Sequence, residues 1–394
     1  MSKPRNILPS TIAGVVMAAV AGCGGIEPGE DDASMRMALA SASGCGYQHV
    51  HVTIASVRVH ESPIAGENAL GWRTLELDPP RRVDLMAMDN GVLEELGSTS
   101  LPAGRYQQLR LVLAPNTGTQ PLRNSVTRQG QGEAPLSTPP AQQRGLTMRI
   151  DERVDADGRL DAVLDLDACR SVVSSAATGG YLLKPTLGIL PRPTDTGLSV
   201  AGRLANLPAE RATVSLQQEG RVLRTTMADD EGRFLLSPVS EGTHDLVVVA
   251  EGRASVVLAR VPVTEAGRTT VVTDDRPIGL VASTMRRATG RIGLLGVGAI
   301  PEALASGLQA VGPHVIEIES RPTDAIDGSF VLRLPVQAPM LANYDPQATG
   351  YSFAPDIGHA ARYTIEAAVP ERPVQTLAVD IRTTDAVANF DFAP

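Results

Sequence analysis

Three of the chain's six histidines fall within one short stretch, "HVHVTIASVRVH", as His49, His51 and His60. Imidazole nitrogens suit zinc, copper or nickel. Residues i and i+2 of a strand share a face, so His49 and His51 would present two donors on one side of a sheet. The spacing places no third ligand, and no HExxH pair is present. The same residues read equally as the wet face of a strand. A second set is acidic: "DADGRLDAVLDLD" holds Asp155, Asp157, Asp161, Asp165 and Asp167. Oxygen clusters hold calcium, yet Arg159 stands where an EF-hand loop needs an oxygen. Asp157-Gly158 reads more simply as a hairpin turn, with the later aspartates on a solvated strand face. His49, His51, His60, Asp155 and Asp157 are therefore weak metal candidates, and no metal or other cofactor is assigned.

Catalytic patterns are missing. The chain has no GxSxG elbow, P-loop or dinucleotide-binding glycine pattern in a strand–helix setting. Paired carboxylates such as Glu94-Glu95 and Asp229-Asp230 sit in charged turns, where they are normally solvated rather than poised as acid and base. The expectation is a protein that is not an enzyme. The formal net charge of −9 and the lack of a basic cluster exclude nucleic acid as a partner. One Trp, six Tyr and five Phe leave few aromatic platforms for stacking sugars.

The first residues read as an export address. Lys3 and Arg5 precede a short apolar stretch, Ile12 to Ala21, about half of what crosses a bilayer. The stretch ends in Val20-Ala21-Gly22-Cys23. This resembles the lipobox of bacterial lipoproteins, with Val20 in place of the usual Leu. The resemblance implies cleavage before Cys23, a diacylglycerol on its thiol and an acyl chain on its amine. The membrane would thus be a partner through acyl chains on Cys23. One chain binds marginally and two or three bind durably. Gly24 rather than Asp after the cysteine implies the outer membrane. Residues 23–43, acidic and small, read as a flexible tether. In an oxidising compartment the two remaining cysteines, Cys45 and Cys169, are expected to form a disulfide. There is no CxxC and no Cys/His zinc spacing.

With 394 residues, 37 Gly and 29 Pro, the rest suits several domains of short strands and many turns. In "HVHVTIASVRVH" the apolar phase changes between Ile54 and Val57, which predicts a bulge near Ala55-Ser56. Leu101-Pro102-Ala103-Gly104 reads as a turn before the strand carrying Tyr106, Leu109, Leu111 and Leu113. "VLEELG" reads as a helical turn, and Pro115 to Gly145 as a long exposed excursion. The order of "HVHVTIASVRVH", "GWRTLEL", "LPAGRYQQLRLVL", "LDLDACRSVV" and "YLLKPTL" resembles a bacterial domain-of-unknown-function family found in surface lipoproteins. That resemblance covers most of residues 45–190 and implies a prealbumin-like β-sandwich with no defined activity.

The second half reads as a repeat. Gly202-Arg203 aligns with Gly290-Arg291, "DDEGRFLL" with "DAIDGSFVL", and "HDLVVVAEG" with "YTIEAAVPE". Glu231-Gly232 and Asp327-Gly328 fall where hairpins must reverse. The first copy resembles carboxypeptidase-regulatory-like and Cna-B-like modules, whose Lys–Asn isopeptide bond is impossible here because neither copy contains lysine.

The expected architecture is all-β: tandem antiparallel β-sandwiches of prealbumin or immunoglobulin type behind a lipoprotein signal. The segments are 1–22 signal peptide, 23–43 tether, 44–192 first sandwich, 193–283 second and 284–394 third. The expected function is a lipid-anchored envelope protein serving as spacer or as display and binding module. A metal- or glycan-binding receptor through the first domain is the alternative, and an unrecognised hydrolase a distant third. A protein or glycan partner is left unnamed.

Overall fold

The structure, a computed structural model, describes residues 33–41, 46–138, 144–175, 179–192, 197–207, 212–296, 298–299 and 303–393. It is almost wholly β, as the turn-rich sequence predicts. The strands of the first domain are β1 Ser34–Ala40, β2 Tyr47–His60, β3 Arg73–Asp84, β4 Glu94–Ser100, β5 Gly104–Leu113, β6 Ser125–Arg128, β7 Ala134–Ser137, β8 Leu146–Val154, β9 Arg159–Leu166, β10 Val172–Ser175, β11 Gly180–Leu183 and β12 Leu187–Pro191. A single helical turn, α1 Ala168–Ser171, follows β9.

Two sheets enclose the first core. One runs β12-β9-β1-β4; the other runs β10-β11-β7-β6-β2-β5-β8, with β3 also paired to β2. Met35, Met37 and Leu39 of β1 pack with Val50, Val52 and Ile54 of β2 and Leu109, Leu111 and Leu113 of β5. Burying such side chains contributes roughly 1.5–3 kcal/mol each. The bulge falls where the apolar phase changes: the register of β2 against both neighbours shifts between Ile54 and Ser56. Val57 and Val59 thereby return to the core.

Four expectations are corrected. Residues 34–40 are not tether but the strand β1, parallel to β9 and antiparallel to β4. Met35, Met37 and Leu39 alternate inward and are fully buried, which an acidic linker would not do. "VLEELG" is not a helical turn, since Glu94 and Glu95 open β4. The Pro115–Gly145 excursion contains β6 and β7, which extend the larger sheet. The Asp157-Gly158 turn does not close a hairpin within one sheet; it carries the chain from β8 in one sheet to β9 in the other.

The second module comprises β13 Ser199–Ala205, β14 Thr213–Gln218, β15 Arg221–Met227, β16 Arg233–Leu236, β17 Gly242–Val249, β18 Val256–Val263, β19 Arg268–Thr270 and β20 Ile278–Gly279. The third comprises β21 Met285–Leu294, β22 Gly298–Ala299, β23 Leu304–Val311, β24 His314–Pro322, β25 Ser329–Pro335, β26 Met340–Asn343, β27 Ala354–Pro355, β28 Arg362–Ala368, β29 Gln375–Asp380, β30 Ala386–Val387 and β31 Phe390–Phe392.

The pairings repeat. In the second module β13 is antiparallel to β16 and parallel to β19 and β20; in the third β21 is antiparallel to β25 and parallel to β30 and β31. Likewise β15-β14-β17-β18 corresponds to β24-β23-β28-β29. The aligned glycines hold equivalent places: Gly202 pairs with Phe234 and Gly290 with Phe330. A Cβ on Gly202 would stand 2.6 Å from the Phe234 ring, and one on Gly290 would stand 1.7 Å from the Ala388 carbonyl oxygen. The aromatic ring lies over a strand with no room for a side chain. Glu231-Gly232 and Asp327-Gly328 do not close hairpins as expected: they carry the chain from β15 to β16 and from β24 to β25, strands of different sheets, although Gly232 and Gly328 do take the left-handed φ of 82° and 71° that such turns require.

The third module's insertion does more than lengthen a loop. β26 pairs in parallel with β18, Val256 opposite Met340 and Ala259 opposite Asn343, so the second module's sheet becomes β15-β14-β17-β18-β26-β27. Val247, Val257 and Ala259 of the second module belong to the core of the third. The strands β26 and β27 thus cross the expected boundary at residue 284.

Candidate functional site

Strand pairing supplies the third ligand that the histidine spacing lacked. In the β2–β3 ladder His51 lies opposite Asp84, which ends β3. Asp84 caps the 3-10 turn at Leu85–Ala87 with one carboxylate oxygen: Oδ1 accepts from the Met86 amide at 3.0 Å and the Val50 amide at 3.2 Å. Its other oxygen, Oδ2, lies 2.7 Å from His49 Nδ1. The His49 and His51 rings are stacked, with centroids 5.6 Å apart. One ligand atom from each of His49, His51 and Asp84 lies within 4.8 Å of the others, and all three side chains are half-buried.

His51 Nδ1 is buried and has no hydrogen-bond partner; its nearest carboxylate oxygen is Glu133 Oε1 at 3.9 Å. Burial, then the Arg82 charge, pushes the His51 imidazole below the ordinary histidine range, against the pull of Asp84 and Glu133. Glu133 is held below the ordinary carboxylate range first by the Ser125 hydroxyl and then by Arg82, both of which bond it. Sequence reasoning missed Asp84, Glu133 and Arg82. They are distant along the chain, and only the β2–β3 and β2–β6 registers bring them to the histidines.

The remaining candidates go elsewhere. His60 Nε2 lies 2.9 Å from the Leu70 carbonyl, while its Nδ1 accepts from the Ser62 amide at 2.8 Å. Both nitrogens are therefore engaged, and the ring meets Trp72 edge-on. The Trp72 ring has the Arg58 and Arg110 guanidinium groups each 4.8 Å from its centroid, so it is no bare platform for a sugar. Asp155 and Asp157 are exposed, Asp155 paired with Arg153 at 3.3 Å, and neither joins the group of potential ligands.

The later aspartates of that stretch do not lie on a wet face. Asp165 bonds Arg224 of the second module at 3.0 Å, and the Arg224 side chain is only 3% exposed. Asp167 caps α1 by accepting from the Arg170 amide at 3.0 Å, and burial pushes its carboxyl up to about 6 despite the nearby Arg170 charge. Arg170 in turn bonds Glu317 of the third module at 2.5 Å. Burial also raises Asp165 and Glu317, partly offset in each case by the arginine it faces. A cleft of about 660 Å³ lies where the three modules meet, with Asp167, Cys169, Arg170 and Glu317 in its wall. Cys45 and Cys23 lie outside the described residues.

Residues 32–185 match the model of a domain of unknown function, DUF4382. No curated protein matches the chain. Among solved structures, the chain is similar to a type II cohesin–X-dockerin complex from Acetivibrio cellulolyticus at 20% identity and TM-score 0.19, over 22% of this chain and 59% of that one. It is similar to the Bacillus anthracis TIE protein at 11% identity and TM-score 0.19, over 91% of this chain and 50% of that one. It is also similar to the shaft pilin SpaA from Lactobacillus rhamnosus GG at 10% identity and TM-score 0.19, over 50% and 96%. The chain spans less than two thirds of the first two.

Proposed function

We propose that this chain is a non-enzymatic, lipid-anchored protein of the cell envelope whose three β-sandwich modules act together as a rigid spacer or display module. The observation that carries the spacer reading is the way the modules lock. β26 of the third module completes the second module's sheet. Asn90 of the first module accepts from the Leu235 amide of the second at 2.9 Å, and its own amide donates to Thr226 Oγ1 at 2.8 Å. Gln217 and Glu317 exchange two hydrogen bonds between the second and third modules, at 2.7 and 2.9 Å. Such seams oppose the relative motion that is usual between domains.

The anchor rests on Val20-Ala21-Gly22-Cys23, and the outer membrane on Gly24. The Cys45–Cys169 disulfide belongs to the same reading, since export makes the pair stable. A bridge closing that loop would stabilise by up to about 5 kcal/mol. Membrane fractionation of wild type and Cys23→Ala tests the anchor. The account expects wild type with the membranes and the variant released in soluble form. Equal distribution of the two would overturn it.

A further inference from the structure

We propose that His49, His51 and Asp84 form a binding site for one borderline divalent transition-metal ion, with Zn2+ as the reference ion. The donor set is two imidazoles and one carboxylate, which favours zinc, copper or nickel over calcium or magnesium. Three protein ligands with an open fourth position is a common zinc arrangement.

The geometry is largely built. His49 and His51 share one face of β2, and Asp84 arrives on the neighbouring strand in direct register with His51. Two backbone amides hold Asp84 Oδ1 and leave Oδ2 facing the histidines. This is the outer-shell support that fixes a ligating carboxylate. Ligands about 2.0–2.1 Å from a zinc ion stand about 3.3 Å from one another. His49 Nδ1 and Asp84 Oδ2, now 2.7 Å apart, would open slightly, while the widest ligand spacing, within 4.8 Å, would close. Coordination at His49 Nδ1 moves that ring's proton to Nε2 and exchanges one hydrogen bond for two bonds to the ion. His51 Nδ1 is buried without a hydrogen-bond partner, an arrangement that folded proteins rarely leave unexplained.

The local charge agrees. The Arg82 guanidinium is occupied by Glu133 and by Ser125 Oγ, the latter at 3.0 Å. Among the described residues no arginine or lysine forms an ion pair with Asp84, and its Oδ2 faces His49. The proposal does not depend on lipid anchorage, and a failure of the Cys23 experiment leaves it untouched.

The test is equilibrium dialysis of Zn2+ against the full chain, stripped with chelator and carrying no polyhistidine tag, with cobalt absorption as a spectroscopic check. The expected result is one ion per chain. His51→Gln and Asp84→Asn should each weaken binding at least about tenfold, and His60→Gln should leave it unchanged. Asn at position 84 keeps an acceptor for the cap, and Gln at position 51 keeps a polar side chain at a site that is only partly buried, so melting curves should show both variants folded. Absence of stoichiometric binding, or binding of wild-type strength in both folded variants, would overturn the proposal. So would loss of binding in His60→Gln to the same degree.

Discussion

Asp167 is a buried carboxylate in the wall of the cleft between modules, and its ionisation bears on stability. Its carboxyl is raised by burial to about 6, well above the value of an exposed aspartate. A folded-state pKa above the unfolded one means that the folded chain binds more protons between about pH 4 and 6. Asp167 therefore lowers stability progressively as pH rises through that window, by up to about 3 kcal/mol at neutral pH. Asp167→Asn keeps the capping oxygen and removes the titration. Urea unfolding should show the variant gaining on wild type as pH goes from 4 to 7; a constant difference would contradict the assignment. A second prediction concerns Gly290. Its Cβ would collide with the Ala388 carbonyl, which is backbone and cannot swing aside. Gly290→Ala should cost about 2–4 kcal/mol by overpacking, read by thermal or urea melts.

At the scale of elements, β26 caps an edge that would otherwise be exposed. The outer strand of the second module's four, β18, is rich in valine and leucine, and an uncovered edge of that kind invites pairing with other chains. Leu341 lies opposite Val257 in that ladder. The Met340 amide donates to the Ser255 carbonyl at 2.9 Å across this seam, so Met340→Pro removes one of its bonds and should cost about 1–3 kcal/mol. Hydrogen exchange should accelerate over Val256–Val263 first; unchanged protection there would show that β26 does not seal the edge. This element was not legible in the sequence, because nothing in "PMLAN" says which sheet it joins. The repeat itself was legible, because Gly202 and Gly290 each face a phenylalanine for the same steric reason. The bulge at Ala55-Ser56 was legible from the apolar phase. β1 carried its signal in Met35, Met37 and Leu39, but the acidic, small-residue context before it concealed a strand whose partners lie far along the chain. Two of the metal ligands were legible as i and i+2 histidines. Asp84 was not, since a ligand contributed by the next strand is fixed by register alone.

Across the whole molecule, charged groups that read as solvent-facing on a single strand are spent between modules. Arg224 and Arg170 each reach a carboxylate of another module. Breaking a buried pair by removing one partner leaves the other charge uncompensated and typically costs 3–5 kcal/mol. Arg170→Ala with Arg224→Ala should loosen the first module from the other two. Small-angle scattering should then report a larger radius of gyration with the strand content retained by circular dichroism. An unchanged radius would mean that the Asn90 bonds and apolar packing hold the modules without the ion pairs.

That locked body serves as an envelope module only if it is held at a lipid surface, and the intact mass of the protein recovered from membranes tests this most directly. The account predicts a chain that begins at Cys23 and carries a diacylglyceryl group with an added acyl chain. A chain that retains Met1, or one that begins elsewhere without lipid, would contradict it.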